Sequence, residues 1–162
     1  MKNTVSLVFA LALCGGAANA QSKAKLQGAW RVAEVKSTGP NARTNSNPQP
    51  GLVLFTGKYY SIMTVNSEQP RPDTPADAAK ATGQQLAAVW GPFTANSGAY
   101  EISGDTIVVH PQVAKNPQVM RAGSSTTYSF KLDGKTLTVT MIKDVGGAAV
   151  ANPTTIKLTR VE

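Results

Sequence analysis

The chain has 162 residues, of which 16 are basic and 9 acidic, giving a formal net charge of +7 with its one histidine neutral. A single cysteine excludes an internal disulfide, and one histidine beside it excludes the Cys/His sets that hold zinc. The basic residues are scattered, without a long run or interleaved aromatics, so the surplus reads as solubility charge rather than a nucleic-acid-binding tract.

In chain order, the first segment is built like an export signal. Lys2 supplies the positive end, Val5 to Leu13 the apolar run, and Ala18-Asn19-Ala20 a small-residue cleavage site that makes Gln21 the first mature residue. The apolar run is shorter than the roughly 20 residues of a membrane-spanning helix. Two alternatives are a buried N-terminal helix and lipid attachment at Cys14, the latter disfavoured by the bulky Leu13 before it. Cleavage after Ala20 removes the only cysteine, so the domain 21–162 carries no thiol chemistry and no covalent staple. The expected location is periplasmic or secreted.

Most of the chain beyond Ala20 alternates apolar and polar residues with the period of a strand. Leu26 to Val35 opens the domain, and Gly51 to Phe55 and Tyr59 to Val65 flank a turn at Thr56-Gly57-Lys58. A helix is predicted from Asp73-Thr74-Pro75 through the alanine-rich Ala76 to Val89, ended by Trp90-Gly91-Pro92. Gly83 weakens it by about 1 kcal/mol relative to alanine, and Leu86, Val89 and Trp90 are expected to pack it on the strands. Tyr100 to Ser103 and Thr106 to His110 flank Gly104-Asp105. The clearest hairpin is Thr126 to Leu132 and Thr136 to Lys143 around Asp133-Gly134-Lys135, and Thr154 to Val161 closes the domain. Thr38 to Pro50 and His110 to Ser125 read as long loops. About eight strands joined mostly by tight turns predict an all-β, antiparallel barrel or sandwich with one short helix.

Leu26-Gln27-Gly28-Ala29-Trp30 places a G-x-W at the first strand, and Arg160 stands on the last. This pairing resembles the lipocalin and fatty-acid-binding superfamily. More narrowly, Gly51 to Ser61, Arg71-Pro72, the helix, Gly98 to Ile102 and Thr106 to His110 resemble the bacterial lipocalin-like domain family. The resemblance covers nearly all of Leu26 to Val161. It implies an eight-stranded lipocalin-like barrel in which Trp30 plugs the closed end and Arg160 packs across it, a structural pair. The His-Pro-Gln-Val segment at His110 carries only part of the family's pattern.

An eight-stranded barrel either holds one small ligand or is filled by its own side chains. The expected lining is Met63, Tyr100, Tyr128 and Phe130, with His110 and Arg121 as polar contacts. One of Tyr59 and Tyr60 must face inward, because strand faces alternate. His110 reads as a strand-end polar residue, a ligand contact or a catalytic base, the last needing a partner that sequence does not place. No G-x-S-x-G, metal-ligand spacing or phosphate-binding glycine loop occurs, so no catalytic residue, metal or cofactor is assigned. The expected function is binding of a small apolar or amphipathic molecule. Two alternatives are an isomerase or hydrolase on the same scaffold and an envelope interaction module without a ligand.

Overall fold

Alternating side chains can bury one face only if the sheet packs on something or closes on itself, and here it closes. The computed structural model describes residues 14–162, so Lys2 and the apolar run to Leu13 lie outside the described residues. Helix α1 (Cys14–Leu26) leads into β1 (Gly28–Ser37), β2 (Arg43–Asn45), β3 (Gly51–Phe55) and β4 (Tyr59–Val65). A turn of 3-10 helix (Ala78–Lys80) and helix α2 (Gly83–Trp90) precede β5 (Phe93–Ser103) and β6 (Thr106–Ala114). A second 3-10 turn (Pro117–Met120), β7 (Thr126–Asp133), β8 (Thr136–Lys143) and β9 (Thr154–Arg160) complete the chain.

The strands pair antiparallel in the order β1-β3-β4-β5-β6-β7-β8-β9, and β9 returns to β1 from Trp30 opposite Arg160 to Ser37 opposite Thr154. The result is a closed eight-stranded antiparallel barrel, with β2 added beside the end of β1. Ala33 is an extra residue between the pairs Val32–Leu158 and Glu34–Lys157. This bulge resets the alternation, so Val32 and Val35 both face the lumen.

The two ends of the barrel differ because their connections differ. Tight turns at Thr56-Gly57-Lys58, Gly104-Asp105 and Gly134-Lys135 lie at one end, Gly134 taking φ +56°. All the long connections lie at the other: 38–50, 66–92, 115–125 and 144–153. The tight-turn end is plugged. Leu26, Trp30, Tyr100, Ile107, Leu137 and Leu158 are all at most 2% exposed there and in the adjoining core, and each buried aliphatic contributes about 1.5–3 kcal/mol. Trp30 donates its Nε1–H to the Leu26 carbonyl at 2.8 Å, and the Arg160 guanidinium lies 4.1 Å from its ring centroid. Arg160 also donates to the carbonyls of Gln27 and Lys25, tying the last strand to the end of α1. Gly28 takes φ +124°, and a Cβ there would meet the Glu162 carbonyl oxygen at 2.2 Å, which is the physical reason for glycine in the G-x-W.

Several boundaries differ from the sequence expectation. The first strand starts at Gly28, because Leu26 ends α1 and caps the plug. β5 starts at Phe93 rather than Tyr100: Thr94 to Gly98 is small and polar, yet the whole run from Phe93 to Ala99 pairs with β4. β6 continues to Ala114, and the predicted loop 38–50 contains β2. The helix is shorter than predicted. Its N-cap is Thr82, whose side chain accepts from Gln85 N while the Gln85 side chain accepts from Thr82 N. That reciprocal cap sets the start, so Gly83 occupies the first turn rather than the interior, and residues 73–77 are not helical. Only Val89 of α2 is buried; Leu86 and Trp90 are exposed, so the expected three-residue packing face reduces to one.

Candidate functional site

Above the plug, inward side chains become shorter or more polar and the barrel hollows. An inner chamber of about 200 Å³ adjoins an outer one of about 420 Å³, the two sharing Thr64, Asn66, Tyr128, Val139, Met141 and Ile156. One wall is apolar: Val32 from β1, Val139 and Met141 from β8, Ile156 and Leu158 from β9. The facing wall carries Thr64 of β4, Asn66 just beyond it, and Thr94 and Asn96 of β5. Pairing of Thr64 with Thr94 and of Ile62 with Asn96 holds these polar groups in one strip.

The strip is hydrogen-bonded within itself. The Tyr60 hydroxyl donates to Asn96 Oδ1 at 2.7 Å, and Asn66 Nδ2 donates to Thr94 Oγ1 at 2.9 Å. Burial, with the nearby Tyr128 phenol adding to it, pushes the Tyr60 hydroxyl far above its ordinary pKa. Burial alone pushes Tyr128 up to about 12, and Tyr100 is raised for the same reason. All three are therefore neutral phenols at physiological pH, able to donate and accept.

At the mouth, Arg43 of β2 pairs with Glu68, and Gln49 Nε2 donates to the Glu68 carbonyl at 3.3 Å. These contacts tie the 38–50 connection to the start of the 66–92 connection at one edge of the opening. Among the described residues, Arg43 and Glu68 are the only charged ones lining either chamber.

Of the residues singled out from sequence, Tyr128 lines both chambers. Tyr100 faces inward but belongs to the plug: its ring meets Phe55 edge-on at 5.1 Å and its hydroxyl donates to the Thr56 carbonyl at 2.8 Å. Lys23 Nζ lies 4.7 Å from the same ring. Phe130 packs against the core outside the chamber lining. Met63 stands on the outer face, because Tyr60, Ile62 and Thr64 are the inward set of β4 and Tyr59 the outward partner of Met63. His110 is opposite Ala99 on the outer wall, since Ile107 and Val109 take the inner face of β6. Arg121 follows the second 3-10 turn and is exposed. Sequence reading missed the polar strip and Ile156. Parity with an inward Tyr60 would have found Ile62 and Thr64, whereas nothing in the small, polar run around Thr94 and Asn96 marks it as barrel wall.

Among the described residues, no group of three or more His, Cys, Asp or Glu gathers where it could hold a metal ion. No described helix is long and apolar enough to cross a membrane.

The model of the lipocalin-like domain family matches residues 27–156. The chain belongs to the lipocalin-like domain family. The match runs from just before β1 into β9 and contains the whole polar strip and most of the apolar wall. No curated protein matches this lipocalin-like domain. Among solved structures, it is similar to an uncharacterized protein from Bacteroides eggerthii DSM 20697, with 11% identity over 83% of this chain and 98% of that one and a TM-score of 0.43.

Proposed function

We propose that this lipocalin-like domain is an exported binding protein whose lumen takes up one small molecule with an apolar body. The observation that carries this reading is the adjoining pair of chambers, about 200 and 420 Å³, walled on one side by aliphatic side chains and opening between the long connections. Clefts of about 300–1,000 Å³ with mainly apolar linings and a few oriented polar groups are the usual form of small-molecule sites. The driving force is desolvation. A ligand burying about 300 Å² of apolar surface gains about 7 kcal/mol, from which association subtracts its lost freedom. Affinity near the micromolar range then requires the polar strip to contribute.

Export rests on the order of Lys2, the apolar run and Ala18-Asn19-Ala20. Cleavage after Ala20 suits the fold: Leu26, fully buried, and Lys23, over Tyr100, both stay with the mature domain. Cleavage there shortens α1 and removes the hydrogen bond from Gly104 N to Asn19 Oδ1.

The test is uptake of diphenylhexatriene, an uncharged hydrocarbon that fluoresces when it leaves water. The protein should enhance its emission saturably, and Ile156→Phe, which fills the wall shared by both chambers, should weaken uptake by at least about tenfold, a 1.4 kcal/mol effect. No saturable uptake, or equal uptake by the variant, would refute a lumenal site.

A further inference from the structure

The charge of this protein is distributed in a way that bears on what its lumen accepts. The chain carries 16 basic residues, yet no described residue lining the inner chamber is charged. The outer chamber has one cation among its described lining residues, Arg43, and it is paired with Glu68. An anionic head group in the inner chamber would therefore find no cation, and at the mouth the one lining cation already carries a carboxylate partner. Burying an unpaired carboxylate is strongly unfavourable.

The neutral polar groups, by contrast, are concentrated and incompletely used. Tyr60 donates to Asn96 Oδ1, which orients the amide so that its Nδ2 donors are turned to other partners. Asn96 lines the inner chamber, so those donors are available to an occupant. Thr94 Oγ1 accepts from Asn66, leaving its own hydroxyl hydrogen and the Asn66 carbonyl oxygen. Tyr128 adds a phenol from β7 that lines both chambers. The strip thus presents donors and acceptors in succession along one side of a cavity whose other side is aliphatic.

We infer that the lumen selects uncharged amphipaths, molecules with hydroxyl or carbonyl groups along one edge of an apolar skeleton, over fatty acids and other amphipathic anions. This rests on the lumenal binding proposed above. The hydroxyl or carbonyl edge lies on Asn96, Thr94 and Tyr128, and the skeleton lies on Val139, Ile156 and Leu158. The Arg43–Glu68 pair stays intact at the rim and takes no part in holding the ligand.

The experiment displaces bound diphenylhexatriene with decanoylglycerol and with decanoate, which share a chain but differ in charge. Both are used below their micelle concentrations, at a pH where the acid is ionised. The neutral ester should displace the probe at least about tenfold more effectively than the anion, since the anion loses hydration without gaining a cation. Tyr128→Phe removes the hydroxyl and keeps the ring in the lining of both chambers. It should weaken decanoylglycerol by about 3- to 10-fold more than it weakens the hydrocarbon probe, the range of one hydrogen bond. Equal or stronger displacement by decanoate would overturn the inference while leaving lumenal binding standing, and so would an unchanged response of Tyr128→Phe to the ester. Failure of the probe itself to bind would remove both.

Discussion

The closed end of the barrel makes the sharpest stability prediction. Arg160 stacks on Trp30 at 4.1 Å and donates to the carbonyls of Gln27 and Lys25, joining β9, β1 and the end of α1. Arg160→Met keeps an apolar stem over the indole and removes only the guanidinium. The stacking is worth about 1 kcal/mol in a half-buried setting. The two carbonyl bonds are worth about 1 kcal/mol each, because water partly replaces them. The sum is about 2–3 kcal/mol, or a fall in Tm of about 6–12 °C for a domain of this size. Urea unfolding followed by circular dichroism measures the first and a thermal scan the second. Arg160→Lys should recover less than half, since an ammonium cannot lie flat on the ring and reach both carbonyls. A loss below about 0.5 kcal/mol for Arg160→Met, within the range of an ordinary surface substitution, would refute the assignment.

Two further predictions concern the barrel wall and its phenols. A Cβ at Gly98 would lie 2.0 Å from the His110 carbonyl oxygen and 2.9 Å from Gln112 N, both backbone, so Gly98→Ala should cost about 2–4 kcal/mol in urea unfolding. Gly83, at which a Cβ meets nothing within 4 Å, should tolerate alanine without loss. The folded pKa of Tyr128 is raised from 10.0 to about 12, and those of Tyr60 and Tyr100 are raised as well. Their contribution to stability is therefore complete below pH 10, the unfolded value, and is lost as pH climbs through the folded values. Stability should fall from about pH 10 upward, with phenolate absorbance appearing together with unfolding. Full ionisation of these tyrosines with circular dichroism unchanged would contradict their burial.

The hairpin β7–β8 is legible in the sequence because Tyr128, Phe130 and Leu132 alternate with polar residues and face Met141, Val139 and Leu137 across the ladder. The first half of β5 is not, because a strand lining a hollow lumen needs no large apolar residues, and Phe93 to Gly98 reads like a loop. The same cause hides Thr94 and Asn96. Met63 enters the expected lining because parity alone leaves β4 free to show either face. The choice is made by β3, whose Val53 and Phe55 pair with Ile62 and Tyr60 and carry those positions inward. The helix start is misplaced from sequence because Asp73-Thr74-Pro75 has the residues of a cap, while Thr82 has the partner, Gln85, that completes one. Trp30 and Arg160 can be singled out at opposite ends of the sequence through resemblance; their stacking needs the closure of β9 on β1.

Occupancy of the lumen is tested most directly by native mass spectrometry of the protein isolated from its native source. The account predicts a species heavier than the chain by one small molecule, which gentle collisional activation releases as a neutral. It also predicts that Ile156→Phe, prepared identically, loses that species. Repeated isolation of the bare mass, or an adduct that Ile156→Phe retains in full, would contradict a ligand seated between the aliphatic wall and the polar strip.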